Sequence, residues 1–250
     1  SFGSAHFDAT VWLDGRRLGG HRGAYEPFGF TLPALTAGEQ HEVVVRTDYR
    51  DPERQEVLGF YRGGWFNWGG LNGGASLTPL GASELTRPGL VTRLESGIAE
   101  VTVAVAVRNR AARPRTIQVE GSIGDTSLDF PAAELGPGAI KRVRARARIE
   151  NPVLWAPGRP NLQTLTLSVP GETERRERVG LREIKVERGR LLVNGRPVRL
   201  RGASIQPDVP GRGDALHESD IAWFVARLEE IGANATRAQH SLDPKLLAAL

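Results

Sequence analysis

The apolar residues of this chain change their spacing once, and that change limits what it can fold into. Up to about residue 180 they alternate with polar residues at period two, the pattern of strands with one buried face. Only at Ile221, Phe224, Val225, Leu228 and Ile231 do they recur at i, i+3, i+4, i+7 and i+10, a single stripe along a helix. The expectation is a mainly β chain that ends in a strand–helix–strand unit.

Turn residues divide the β part. In the first segment, residues 1–81, Ala9–Leu13 reads as a strand. Asp14-Gly15 then forms a tight hairpin into Arg16-Arg17-Leu18, since both turn positions favour positive φ. Glu42–Thr47 is a second, valine-rich strand, and no helical period appears. The second segment, residues 82–179, offers strands at Val101–Val107, Thr116–Glu120, Arg142–Ile149 and Leu162–Val169. Gly124-Asp125 and Gly136-Pro137-Gly138 mark turns between them. Short strands at such intervals predict an immunoglobulin-like β-sandwich.

The third segment, residues 180–250, pairs Glu183–Glu187 with Arg190–Val193 around Arg188-Gly189. A second turn follows at Asn194-Gly195. The helix takes Ser219 as N-cap and Gly232 just past its end. Ala233–Arg237 follows as a short buried strand, giving one βαβ unit. One such unit cannot cover its own sheet, and an eight-stranded barrel takes ~250 residues. The chain is therefore expected to be cut at its C-terminus. It begins with Ser1 and has no methionine, so its N-terminus is expected to be missing or processed.

Composition excludes several function classes. With no cysteine there is no thiolate nucleophile, disulfide or cysteine-bound metal; the compartment stays open. No apolar run approaches the ~18 residues of a membrane span. Lys and Arg number 33 against 29 Asp and Glu, and lysine occurs only at Lys141, Lys185 and Lys245. The one dense basic run, Lys141–Arg148, alternates arginine with Val143, Ala145 and Ala147, so it reads as a strand with one solvated face. No aromatics accompany it, which argues against a nucleic-acid partner.

Four stretches carry a family likeness. They are Ala9–Gly15 with His21–Phe28; Trp65-Phe66-Asn67-Trp68-Gly69-Gly70-Leu71; Asn151–Pro157 with Pro160-Asn161-Leu162; and Val179–Ile184 with Leu192–Val198 and Arg201-Gly202. In this order they resemble the family 2 glycoside hydrolases, the β-galactosidases and β-glucuronidases. The resemblance implies a partial jelly-roll-type sugar-binding domain, an immunoglobulin-like sandwich, and the first βαβ unit of a TIM (β/α)8 barrel, all in an internal fragment. It implies hydrolysis of a β-linked sugar, a carbohydrate partner, no cofactor and no metal. Homo-oligomers are compatible with it. The other reading is a non-catalytic carbohydrate-binding or interaction module.

Barrel enzymes place their sites at the C-terminal ends of the strands. By resemblance, Gln206 stands there after the first strand, and Arg237 and His240 after the second. His240 would contact sugar hydroxyls and Arg237 would brace the floor. Trp65 and Trp68 would either line the mouth of the pocket or only anchor their loop. Trp12 and Trp155 read as structural, Trp12 in the core.

Three positions depart from the family pattern. Gly64 stands for a sugar-binding aspartate, Gly73 for an arginine and Gln206 for a histidine. A retaining mechanism needs a proton donor and a nucleophile, two carboxyl groups ~5 Å apart. In this family the donor follows an asparagine, and no Asn-Glu pair occurs here. No catalytic residue is assigned within residues 1–250.

Overall fold

The computed structural model describes residues 1–36, 38–50, 68–238 and 242–250. The chain forms two compact units, one of residues 1–78 with 200–250 and one of residues 79–199. Among the described residues strands dominate, so the chain is mainly β as expected.

The first unit opens with β1 (Asp8–Leu13), β2 (Arg16–Arg22) and β3 (Val43–Asp48), an antiparallel sheet in the order β2-β1-β3. Asp14 and Gly15 join β1 to β2 with φ of 49° and 76°, the left-handed pair that a two-residue hairpin requires. Asp14 also ties down the start of β3. Its carboxylate accepts from the Glu42 backbone N–H and meets His41 Nδ1, both at 2.8 Å. Ala9, Val11 and Leu13 of β1 are buried, as are Phe2, Ala5, Phe7 and Ala24. Trp12, expected in the core, lies between Val11 and Leu13 in the alternation. It therefore takes the other, partly exposed face.

The core of the second unit lies between two antiparallel sheets. β4 (Ser83–Leu85), β5 (Gly89–Glu95), β6 (Ile98–Asn109) and β11 (Ile140–Glu150) make the first, in which β6 pairs with the other three. β8 (Glu120–Ile123), β9 (Thr126–Asp129), β12 (Gln163–Val169) and β13 (Thr173–Val179) make the second, in the order β13-β12-β8-β9. Val101, Val103, Val105, Val107, Val143 and Ala145 from the first pack with Ile123, Leu128, Leu165 and Leu167 from the second.

The expected strand Thr116–Glu120 is broken. β7 (Arg115–Ile117) pairs with β10 (Ala133–Leu135), whereas β8 begins only at Glu120 and pairs with β9 and β12. At the break the Gln118 amide donates to the Phe130 carbonyl at 2.8 Å, so the chain changes ladder partners there. Residues 184–197 form a three-stranded meander of β14 (Ile184–Glu187), β15 (Arg190–Val193) and β16 (Arg196–Pro197).

The first unit resumes with β17 (Gly202–Ile205), α1 (Glu218–Glu230), β18 (Ala235–Ala238) and α2 (Pro244–Ala249). β17 and β18 are parallel. They approach so closely that a Cβ on Gly202 would lie 2.1 Å from the Ala235 carbonyl oxygen. Ile221, Phe224 and Leu228 of α1 are buried with Ile205 and Leu246.

Three details differ from expectation. Ile231 is the C-cap and is exposed. The N-cap is His217, not Ser219, because the Asp220 carboxylate reaches back to accept from the His217 backbone N–H at 2.8 Å. The second strand starts at Ala235 and is only partly buried, with Arg237 exposed. Gly232 behaves as expected. Its φ is 64°, it donates to the Glu229 carbonyl, and Ala233 donates to Leu228, closing the helix in a Schellman turn.

Candidate functional site

Within the first unit, a cleft opens where the loop after β17 meets the residues that follow β3 in sequence. Tyr25, Trp68, Asn72, Gly73, Asp208, Asp214, Leu242 and Asp243 are among its walls. Each wall has a local cause. Tyr25 sits in the turn after β2, where Gly23 takes a φ of 152° that the left-handed half of the map reserves mainly for glycine. Residues 207–216 run from β17 to the start of α1. This loop is held by Arg212, whose guanidinium donates to both oxygens of Asp220 at 2.6 and 2.7 Å. These contacts keep the Asp220 carboxyl below its ordinary range, the Arg212 hydrogen bonds first and the His217 backbone second.

Trp68 reaches this loop directly. A Cβ on Gly213 would fall 2.4 Å from Trp68 Cγ, and Gly213 has a φ of 59°. Glycine is required there both by the conformation and by the indole lying on it. The Asn72 amide donates to the Trp68 carbonyl at 2.8 Å and holds the turn beneath the ring. Trp68 is 39% exposed and is one of the residues lining the cleft. Gly73 has a different cause. A Cβ on it would meet the Ser4 backbone nitrogen at 2.4 Å, so the arginine of the family pattern has no room at this backbone position.

The ionisable groups are carboxylates and a phenol. Asp214 is half-buried, and its buried Oδ1 has no hydrogen-bond partner among the described residues. Burial raises its pKa. Its own backbone N–H and the Asn72 amide oppose the shift, and the negative charge of Asp208 adds to it. Tyr25 is pushed up to about 12, first by burial and then by the charge of Asp214. An indole face beside several hydrogen-bond acceptors suits a polyhydroxylated ligand. The ring covers an apolar C–H face and the carboxylates accept from hydroxyls. Among the described residues no group of three His, Asp or Glu is arranged to hold a metal ion.

The residues named from sequence divide three ways. Trp68 lines the cleft. Gln206, exposed just past β17, and Arg237, exposed on β18 opposite Ser204, stand at neighbouring strand ends but do not line it; Pro207 and Asp208 do. Trp65 and His240, and the departure at Gly64, lie outside the described residues. Sequence reasoning passed over Tyr25, Asp208 and Asp214. Their position was available as a clue, because Asp208 and Asp214 belong to the loop after the first parallel strand.

Residues 85–182 match the model of the family described as Glycosyl hydrolases family 2. The Formosa agariphila protein named "Putative beta-glucuronidase" is 25% identical over 99% of this chain, which covers 31% of that protein. The crystal structure of a β-galacturonidase of the same family from Eisenbergiella tayi, bound to galacturonate, matches 98% of this chain. Its TM-score is 0.89 and its identity 26%, and the chain covers 44% of it. A Bacteroides uniformis β-glucuronidase shares the fold with a TM-score of 0.80 at 20% identity, over 32% of its own chain. The chain thus spans 31 to 44% of the length of these relatives.

Proposed function

We propose that this chain, a family 2 glycoside hydrolase sequence, supplies the sugar-facing wall of a retaining β-glycosidase. In this reading residues 1–81 belong to a jelly-roll-type sugar-binding domain and residues 82–179 form an immunoglobulin-like sandwich. Residues 180–250 enter the catalytic barrel with its first βαβ unit. The observation that carries the reading is Trp68 lying on Gly213. It joins the aromatic loop of a β-domain to the loop after the first parallel strand, at the end of the strands where barrel enzymes bind substrate.

The division of labour follows from chemistry. Hydrolysis with retention needs a carboxylic acid to protonate the leaving oxygen and a carboxylate to attack the anomeric carbon. Residues 1–250 contain no Asn-Glu pair, so the catalytic carboxylates are assigned outside them. The chain's own residues hold and orient the sugar. Trp68 covers an apolar ring face and Asp208 and Asp214 accept hydroxyl hydrogen bonds; by family resemblance Gln206, Arg237 and His240 would reach the sugar from the neighbouring strand ends. By the same resemblance Trp65 would either stand with Trp68 at the mouth or only anchor their loop. The substrate is a β-linked sugar of the glucuronide or galactoside type. The exchanges at Gly64, Gly73 and Gln206 point to altered contacts with it rather than to loss of function.

Steady-state kinetics on the full protein test this. Chromogenic β-glucuronide, β-galacturonide, β-galactoside, β-mannoside and β-glucoside are offered to the wild type and to W68A and R237A. Turnover of at least one substrate is expected, with kcat/KM about tenfold or more lower in each variant, the loss of ~1.4 kcal/mol or more of transition-state stabilisation. Hydrolysis of none of the five, or wild-type kcat and KM in both variants, overturns the assignment.

A further inference from the structure

We propose that the outer face of the sheet formed by β4, β5, β6 and β11 binds an anionic polysaccharide, separately from the cleft. The choice of a glycan rests on the glycosidase reading above; the surface itself rests on geometry. Arg142, Arg144, Arg146 and Arg148 all point outward and are exposed, while Val143 and Ala145 between them are buried. The run is therefore one continuous row on a single face. Strand geometry separates successive members by ~7 Å and spreads the row over ~20 Å.

The register shows what lies beside the row. Arg142, Arg144 and Arg146 stand opposite Ala106, Ala104 and Thr102 of β6. These small side chains form a flat floor, so the guanidinium groups rise over it without steric competition. Only Arg148 faces an acid, Glu100, and Glu100 also stands opposite Arg93 of β5. Arg108, further along β6, already pairs with Glu84. Glu95 and Glu150 lie at the far end of the face, opposite Ile98. Among the described residues no ion pair neutralises Arg142, Arg144 or Arg146.

β11 is an edge strand, and charge on an edge strand discourages pairing with other chains. Protection of that kind needs only a charge or two. A row of four, with three uncompensated, adds its fields and attracts a linear polyanion. Guanidinium groups bind carboxylate and sulfate oxygens bidentately, so both are acceptable anionic groups. Single-stranded nucleic acid is disfavoured. Its binding surfaces place aromatic rings among the cations, whereas the residues standing opposite the four arginines here are Ala106, Ala104, Thr102 and Glu100.

The test measures binding of the full protein to polygalacturonate, a sulfated glycan, neutral dextran and single-stranded DNA, at low and moderate salt. The wild type is expected to bind at least one of the anionic glycans, with affinity falling as salt rises, and not to bind dextran. A variant with R142Q, R144Q, R146Q and R148Q is expected to lose at least tenfold in that affinity. Its melting temperature and its turnover of a small chromogenic glycoside should match the wild type. Replacement of all four by lysine should restore part of the binding. Wild-type affinity in the glutamine variant, no binding to either polyanion, or tighter binding to DNA than to both glycans overturns the proposal. Loss of binding in the glutamine variant supports the surface even if no small glycoside is hydrolysed, an outcome that would count only against the glycosidase reading.

Discussion

At the scale of single residues, the cleft shows how much a carboxylate depends on its surroundings. Asp214 is an ordinary loop residue in the sequence, yet burial and the charge of Asp208 raise its pKa above 3.8. The sign of its effect on stability follows. Between 3.8 and the raised value the folded state keeps a proton that the unfolded state has released. Stability therefore falls as pH rises through that window and stays lower above it. Replacement by asparagine, which is neutral and nearly isosteric, removes the penalty. D214N is expected to melt at a higher temperature than the wild type at pH 7, with the difference closing as pH falls below the ordinary aspartate range. Thermal melts from pH 3 to 7 check this, and a lower melting temperature for D214N at pH 7 would contradict it. Such a gain is consistent with a binding site that carries an unfavourable charge for the sake of its ligand.

At the scale of elements, the local signals that held were those confined to a few residues. Asp14-Gly15 makes its hairpin, Gly232 closes its helix, and β6 and β11 follow their alternation. Where a longer-range contact intervened, the reading shifted. The strand expected over Thr116–Glu120 is split because its two halves pair with different strands; the helix start is a local exception, set at His217 by Asp220 three residues further on.

Asn109, at the end of β6, belongs to the same class. Its position says nothing special, but its side chain is fully buried. The amide nitrogen faces the carbonyls of Arg113, Leu135 and Gly136 at 2.8 to 3.1 Å, and Oδ1 accepts from the Ala111 N–H at 3.0 Å. It fastens two loops to the sheet. N109A leaves these backbone groups without partners, and a loss of about 3 kcal/mol is expected, each buried group costing ~1 kcal/mol or more. Urea denaturation measures it; a change under ~1 kcal/mol would mean that water replaces the side chain.

At the scale of the molecule, residues 1–250 expressed alone are expected to show no glycosidase activity. The proposed mechanism needs two carboxyl groups held about a single anomeric centre, and two parallel strands do not close a barrel around one. Turnover of any of the five chromogenic glycosides above a no-enzyme control, surviving repurification, would show that residues 1–250 contain a complete active site.

The family resemblance and the mainly β character were legible from the sequence, because alternation, turn pairs and short motifs are properties of neighbouring residues. The candidate site was legible only in part. Trp68 was named, but nothing local says that its ring lies on Gly213, that Asp208 and Asp214 share a cleft with Tyr25, or that residues 200–250 pack into the same unit as residues 1–78. Those are approaches between residues remote in sequence, and the burial they create alters the Asp214 carboxyl and the Tyr25 phenol. The amino-acid order alone determined where strands, turns and the helix could form, since steric limits and hydrophobic periodicity act within a few residues. Tertiary packing decided which side chains meet and which carboxylate loses its water, because desolvation depends on the whole surrounding structure.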